Sequence, residues 1–334
     1  MRTPDFWYNK NKTVLAACLT PFSVLYRMAS LVRTSGTTPW QSLIPVLCIG
    51  NAVAGGAGKT PVAISLGRRL IERGIGVHYL TRGYGGSLKG PVKVNTETHA
   101  CEHTGDEALL LARTAPTWVS RNRKDGILAA TVDGAGAIVM DDGFQNPSVH
   151  KTVSVCVING AFGFGNGRLI PAGPLREPAE AALGRADAVV LIGEDQTGVL
   201  KTIDTARPVL RARIEPGPEA DQLKGERVLA FAGIGLPQKF FDFLTQIGCD
   251  VIETRSFADH HAYSPQDISD LRERAEAQQA RLVTTAKDAV RLPADSRAGI
   301  AVLSIKITWQ DEFAVDDLLD KLFPDEPNRD EPKR

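Results

Sequence analysis

The sequence predicts an α/β protein in two units, the larger one organised around a phosphate-binding loop. Three observations carry this expectation. Short apolar runs of strand type alternate with helical runs along most of the chain, the pattern of parallel sheets with crossover helices. One such run, Val46 to Gly50, feeds a glycine-rich loop, after which Lys59-Thr60 opens a helical stretch. Further on, Glu215-Pro216-Gly217-Pro218 breaks regular structure and the alternation restarts beyond it. The expected divisions are an N-terminal helix over 1–35, the large unit over 36–214, a smaller α/β unit over 215–310, and a C-terminal helix and tail over 311–334.

A phosphate-binding loop turns backbone N–H groups inward around an anion at the positive end of a helix. Ala54, Gly55, Gly56, Ala57, Gly58, Lys59, Thr60 and Pro61 hold that position here. A lysine at position 59 reaches the β- and γ-phosphates, and the Thr60 hydroxyl ligates the Mg²⁺ that bridges them. The usual pattern is G-x-x-x-x-G-K-[ST]. Val53 stands in place of its first glycine, which leaves Gly55 and Gly56 to supply the freedom. The competing reading is a glycine-rich turn that holds no ligand.

Ahead of the loop, Thr13 to Tyr26 carries no charge, with Lys10 and Lys12 before it and Arg27 and Arg33 after it. Leu15, Leu19, Phe22 and Tyr26 recur at helical spacing, so one face is apolar with basic edges. The run is too short to span a bilayer, and Pro21 interrupts it. Two readings stand: a helix lying on an anionic membrane surface, or one packed on its own domain.

After the loop, Thr60 to Arg73 reads as a helix with Pro61 in its first turn, where the missing N–H costs little. Gly76 to Thr81 is the next strand, and Arg82-Gly83-Tyr84-Gly85-Gly86 turns at its carboxyl end, the edge where open α/β sheets bind ligands. Arg82 suits a phosphate there, although an ordinary surface turn has the same composition. Gly105-Asp106-Glu107 precedes a helical run, so its acids are either site residues or helix-start charges. A strand over 117–119 leads to Arg121, Arg123 and Lys124, which are either phosphate contacts or solvated charge.

Ala137-Ile138-Val139-Met140-Asp141-Asp142-Gly143-Phe144-Gln145 is the second strong signal. Apolar residues ending in an acid form the Walker B pattern, whose carboxylate holds Mg²⁺ directly or through water. Two adjacent acids at the end of a buried strand repel each other without a cation; a turn at Asp-Asp-Gly is the alternative. Val153 to Ile158 is another strand. The stretch Arg168 to Pro178 contains three prolines and forms a rigid loop presenting Arg168, Arg176 and Glu177. Arginine there suits phosphate and Glu177 suits a metal, while a lid without direct contacts remains the other reading. Strands over 188–192 and 209–214 complete the unit.

The smaller unit reads as strands over 228–232, 250–254, 282–285 and 300–305, with helices over 238–246 and 265–279. A last helix over 312–323 precedes a charged, frayed remainder. Within this unit, Asp259-His260-His261 stands out because imidazole pairs readily with a carboxylate near neutral pH. Neighbouring loop histidines are also common surface residues. Lys287, in Thr284-Thr285-Ala286-Lys287-Asp288, faces either a cleft or solvent.

Bulk properties narrow the class. Of the 334 residues, 43% are hydrophobic and 23% charged, values of a globular protein. Lys+Arg and Asp+Glu balance at 39 each, which removes the whole-chain electrostatic case for nucleic acid. Five scattered cysteines without C-x-x-C spacing point to a reduced compartment and no cysteine metal site. No protein partner is evident.

As an ordered set, these segments resemble the tetraacyldisaccharide 4′-kinase (lipid A 4′-kinase) family of Gram-negative bacteria. The likeness runs through Gly50-Asn51 to Thr60-Pro61, Arg82-Gly83-Tyr84-Gly85, Gly105-Asp106-Glu107, Asp141 to Gln145, Arg168 to Pro178, Gly233-Ile234-Gly235, Asp259-His260-His261 and Lys287-Asp288. The family's loop departs from the usual pattern in a similar way. The resemblance implies a P-loop NTPase-like α/β/α sandwich domain with a second, smaller α/β domain. It implies an N-terminal helix at the cytoplasmic face of the bacterial inner membrane, peripheral or monotopic. It implies ATP and Mg²⁺, and transfer of the γ-phosphoryl group to the 4′-hydroxyl of the lipid A precursor tetraacyldisaccharide 1-phosphate.

Asp106 then resembles the base that accepts the sugar hydroxyl proton, assisted by His260, with His261 as the alternative. Lys59 and Arg123 are the implied catalytic cations, Thr60, Asp141, Asp142 and Glu177 the implied metal set, and Arg82, Tyr84, Gln145 and Arg176 the implied acceptor contacts. A nucleotide-dependent switch is the first rival, weakened by the absence of an Asn-Lys-x-Asp guanine tetrad. A kinase for a soluble metabolite is the second, disfavoured by the apolar N-terminal helix.

Overall fold

The computed structural model describes residues 4–8, 14–34, 36–204 and 206–324. Lys10, Lys12, the Arg33 side chain and the charged tail from 325 onward lie outside the described residues. Helix α1 spans Val14–Thr34 and contains Pro21, so the expected interruption does not occur. Five residues before the proline, the Ala16 carbonyl accepts from Thr20 Oγ1 at 2.9 Å and from Arg168 Nη1 at 3.3 Å. The uninterrupted helix also overturns the expectation on length: Val14–Val32 is long and apolar enough to cross a membrane. Its inner side touches the proline-rich loop, where Ser23 Oγ donates to Leu169 O at 2.8 Å and accepts from Ala172 N at 3.3 Å.

The large unit then runs β1 (Val46–Gly50), α2 (Lys59–Glu72), β2 (Val77–Thr81), β3 (Val92–Lys93), α3 (Cys101–Thr104), α4 (Asp106–Ala112), β4 (Thr117–Val119), α5 (Arg123–Val132), β5 (Ala137–Asp141), β6 (Val153–Asn159), α6 (Ala179–Gly184), β7 (Ala188–Ile192) and β8 (Val209–Pro216). The small unit contributes α7 (Ala220–Leu223), β9 (Arg227–Ala232), α8 (Pro237–Gln246), β10 (Asp250–Ser256), α9 (Pro265–Ala277), β11 (Arg281–Thr285), α10 (Ala286–Ala289) and β12 (Ile300–Leu303). The chain closes with β13 (Ile305–Trp309) and α11 (Glu312–Asp320).

Nine strands form the large sheet in the order β13-β8-β7-β6-β1-β5-β2-β4-β3, and four form the small one in the order β10-β9-β11-β12. All neighbours are parallel except the edge strands, where β13 runs against β8 and β3 against β4. Strand periodicity sorts the two faces of the large sheet. Leu47, Ile49 and Val139 pack with Val62, Leu66 and Leu70 of α2, whereas Val46, Cys48, Ile138 and Met140 pack with Ile127 and Ala130 of α5. The result is an α/β/α sandwich whose loops gather at the carboxyl edge.

One expected boundary is corrected by the topology. Residues 305–310, assigned by pattern to the smaller unit, lead back into the large sheet through β13. The small unit is therefore an insertion with two crossings, and these touch: Gly217 N donates to Ser304 O at 2.8 Å, and Ser304 Oγ donates to Glu219 Oε2 at 2.8 Å. After β13, α11 returns to the phosphate-loop helix, where Arg69 pairs with Glu312 and Asp316, and Arg73 with Asp316 and Asp320. Asp316 is the acid shared by both arginines. Asp316→Asn is expected to cost ~1 kcal/mol, the upper end for an exposed pair because the ions form a network, and to lower the urea midpoint at unchanged m-value.

Candidate active site

The site begins where β1 ends. Val53, in place of the usual glycine, forms an antiparallel bridge to Leu175, extended backbone that any residue adopts. The missing glycine is thus explained: the loop is braced from outside rather than folded on itself at that point. Ala54 N donates to Pro174 O at 2.7 Å, and Arg176 N donates to Ala52 O at 2.8 Å. Gly58 lies at φ 89°, a left-handed conformation that favours glycine, and a Cβ there would meet Ile192 Cδ1 at 2.5 Å unless that side chain moved. The helix that follows buries Lys59 and Thr60 in its first turn.

Strand β5 lies beside β1 and delivers Asp141 to the same edge. Thr60 Oγ1 donates to Asp141 Oδ2 at 2.7 Å, while Asp141 Oδ1 is buried without a hydrogen-bond partner. Burial, followed by repulsion from Glu107, pushes this carboxyl up to about 7, against the pull of Lys59. Asp142 behaves differently. It adopts φ 54°, lies 3.7 Å from Lys59 Nζ, and accepts from Arg176 Nη1 at 2.8 Å and 3.0 Å. Burial acts to raise its pKa, but Lys59 and Arg176 outweigh that and hold it below the ordinary value.

A polar chain continues from Asp142. Arg176 Nη1 donates to Gln145 Oε1 at 3.3 Å, and Gln145 Nε2 donates to Asn51 O at 2.7 Å and to Glu177 Oε1 at 3.1 Å. Glu177 Oε2 accepts from Arg185 Nη2 at 2.6 Å. Glu177, expected in the metal set, is here engaged by Gln145 and Arg185. Of the basic cluster after β4, only Arg123 goes inside. It donates to Ser120 O, keeps a buried Nε without a partner, and is pulled down to about 10 by burial, with Asp142 opposing and Arg82 adding to the fall. Arg82 itself is exposed, and Tyr84 is 70% exposed.

The second centre joins the two units. Asp106 opens α4 and is 3% exposed. Its Oδ1 accepts from Glu107 N at 2.9 Å, and its Oδ2 receives every contact from the small unit. His260 Nδ1 lies 3.0 Å from Oδ2, Arg291 Nε donates to it at 2.9 Å, Arg291 Nη2 donates as well, and Lys287 Nζ is 3.8 Å away. Burial works to raise the Asp106 pKa; the His260 hydrogen bond, then Lys287 and Arg291, more than offset it and hold the carboxyl well below the usual range. His260 adopts φ 60°, and its ring centroid lies 6.0 Å from that of Tyr84. His261 turns elsewhere: its Nε2 is 3.2 Å from Asp267 Oδ2 and its ring stacks on Phe257. Of the two histidines left open by sequence, geometry pairs His260 with Asp106.

Lys287, open between cleft and solvent from sequence, faces Asp106. Arg291 was not legible at all. It lies just beyond α10, its Nη1 donating to Asp288 Oδ1 at 3.0 Å and to Gly233 O at 2.7 Å. Nothing in the spacing around Leu292-Pro293 separates it from other arginines; the one available clue is its helical spacing from Lys287 and Asp288. The arrangement as a whole offers an anion cradle at a helix start, a buried carboxylate short of one partner, and an ionised carboxylate beside an imidazole.

Comparisons with known proteins point to one family. A family model described as tetraacyldisaccharide-1-P 4′-kinase (LpxK) matches residues 15–323. The chain is 50% identical over 323 residues to tetraacyldisaccharide 4′-kinase of Paramagnetospirillum magneticum, covering 96% of this chain and 99% of that one. It is 48% identical over 327 residues to the protein of the same name from Rhodospirillum centenum, covering 97% of each. Among solved structures it is similar to LpxK from Aquifex aeolicus in complex with ATP, with a TM-score of 0.75 and 27% identity, covering 93% of this chain and 100% of that one.

Proposed function

Since this chain belongs to the tetraacyldisaccharide 4′-kinase family, we propose that its phosphoryl transfer runs between the Lys59–Thr60 cradle and Asp106. The reaction is ATP-dependent transfer of the γ-phosphoryl group to the 4′-hydroxyl of tetraacyldisaccharide 1-phosphate, a step of lipid A biosynthesis. The observation that most supports the residue roles is the contact of His260 with Asp106 at 3.0 Å, made between the two units.

The triphosphate sits on the amides of residues 54–60, with Lys59 against its β- and γ-oxygens. Arg123 and Arg82 face the transferring group, and Arg176 with Gln145 and Tyr84 line the approach of the acceptor. The transition state is loose, so the sugar hydroxyl becomes acidic only as its oxygen bonds to phosphorus. A carboxylate held ionised suits that timing: Asp106 aligns the hydroxyl by accepting its hydrogen bond and takes the proton late. His260 fixes the carboxylate's orientation. Positioning and cationic charge supply most of the rate.

Thr60 and Asp141 are the residues that would hold Mg²⁺, and the buried, unpartnered Asp141 Oδ1 is the reason they fit. Bound there, Mg²⁺ supplies positive charge to the β- and γ-phosphate oxygens. Because Asp141 holds its proton up to about pH 7 in the free protein, cation binding must release it. Mg²⁺ affinity is therefore expected to rise with pH across roughly pH 6 to 8 and to flatten above, as titration calorimetry in two buffers of different ionisation heat can measure. A pH-independent affinity would remove Asp141 from the set.

Helix α1 rests on the membrane in this reading, at the cytoplasmic face and without crossing. Exposed Val14, Phe22, Leu25, Met28 and Val32 support contact with lipid, and the Ser23 bonds to the 169–172 backbone support a helix held against its domain. The experiment that tests the function is incubation of pure protein with γ-labelled ATP and the lipid A precursor. Label in the lipid is the expected result; label in water alone, or retention of full lipid activity after deletion of residues 1–33, would overturn the acceptor or the membrane reading respectively.

A further inference from the structure

Arg291 is buried at 8% exposure and, among the described residues, is the guanidinium that touches both Asp106 and Asp288. Its Nε and Nη2 bind Asp106 of the large unit, while its Nη1 is tied to Asp288 Oδ1 and Gly233 O of the small one. Asp288 is itself anchored: Oδ1 accepts from Gly233 N at 2.9 Å and Tyr263 Oη at 2.9 Å, and Oδ2 accepts from Thr285 Oγ1 at 2.6 Å. The guanidinium fork therefore has one rigid side and spans to the carboxylate across the cleft. His260 approaches the same Oδ2 from a loop at positive φ, a conformation that needs outside support.

We propose that Arg291 is a positioning residue of phosphoryl transfer: by gripping Asp106 Oδ2 from a fixed base on Asp288, it seats the small unit on the large one and sets the Asp106–His260 geometry. The inference rests on the reading of Asp106 as the group that engages the acceptor hydroxyl. The two crossings between the units lie side by side at Gly217 and Ser304. Arg291 adds a further tie between the units, to Asp106. A lysine at 291 keeps the charge but cannot make the two-pronged contact, since one ammonium replaces a planar fork.

Arg291→Met is expected to lower kcat about 100-fold, the loss typical of a misplaced catalytic group, with KM for ATP changed less than about twofold. Arg291→Lys is expected to recover about tenfold of that loss. The deciding measurement is a double-mutant cycle with Asp106→Asn. If Arg291 acts through Asp106, adding Arg291→Met or Arg291→Lys to Asp106→Asn lowers the residual rate less than about twofold. A full multiplicative loss in that background, or Arg291→Met within about threefold of wild type, would overturn the inference. Circular dichroism and thermal midpoints accompany each variant; should Arg291→Met fail to fold, the cycle with Arg291→Lys decides. Wild-type turnover in Asp106→Asn alone would instead sink the reading of Asp106, which separates the two failures.

Discussion

Asp106→Asn lowers kcat by between about 10² and 10⁴ in the expected result, while KM for ATP moves less than about threefold. The substitution keeps size and planarity and removes the charge. In the native site three cationic or hydrogen-bonding partners converge on Oδ2, and among the described residues none of them bonds to the 54–60 loop. The loss therefore falls on the chemical step and spares nucleotide binding. Steady-state transfer of label to the lipid precursor at varied ATP measures both quantities. Removing the carboxylate also leaves the Arg291 guanidinium buried against a neutral amide, so a fall in thermal midpoint should accompany the kinetic loss. A variant that keeps its turnover would show that another group receives the proton.

Lys59→Met has the second large effect, and its signature is different. Lys59 is buried at the start of α2, 3.7 Å from Asp142; in the proposed mechanism it meets the β- and γ-phosphates in both ground and transition states. KM for ATP is expected to rise about tenfold and kcat to fall about 10²- to 10³-fold, the cost of one charge-stabilising donor in a water-poor site. Asp142 then loses one of its two cationic partners but keeps Arg176. Nucleotide binding measured by fluorescence of an ATP analogue, beside steady-state rates, resolves the two effects. Unchanged affinity would place the lysine away from the triphosphate.

Much of this site can be read from the chain because strand ends announce themselves. Ala137–Asp141 and Ala188–Ile192 are continuous apolar runs buried on both faces, and such runs stop where the sheet's carboxyl edge begins. Asp141, Arg82 and the glycine loop are legible for that reason. The return strand β13 is not, because the pattern reads as one strand over 300–305, whereas one strand ends at Leu303 and the next, in the other sheet, begins at Ile305. Continuity through Pro21 is likewise not read from the chain, where a proline inside an apolar run marks an interruption. Arg291 escapes for a related reason: a partner 185 residues distant defines it, and no local spacing encodes that distance.

The proline-rich loop has one further mechanical implication. Ser23 of α1 is bonded to Leu169 and Ala172, and Pro174, two residues on, is bonded to Ala54 of the triphosphate cradle. The 169–174 segment therefore serves as a common support, bonded to α1 on one side and to the loop before α2 on the other.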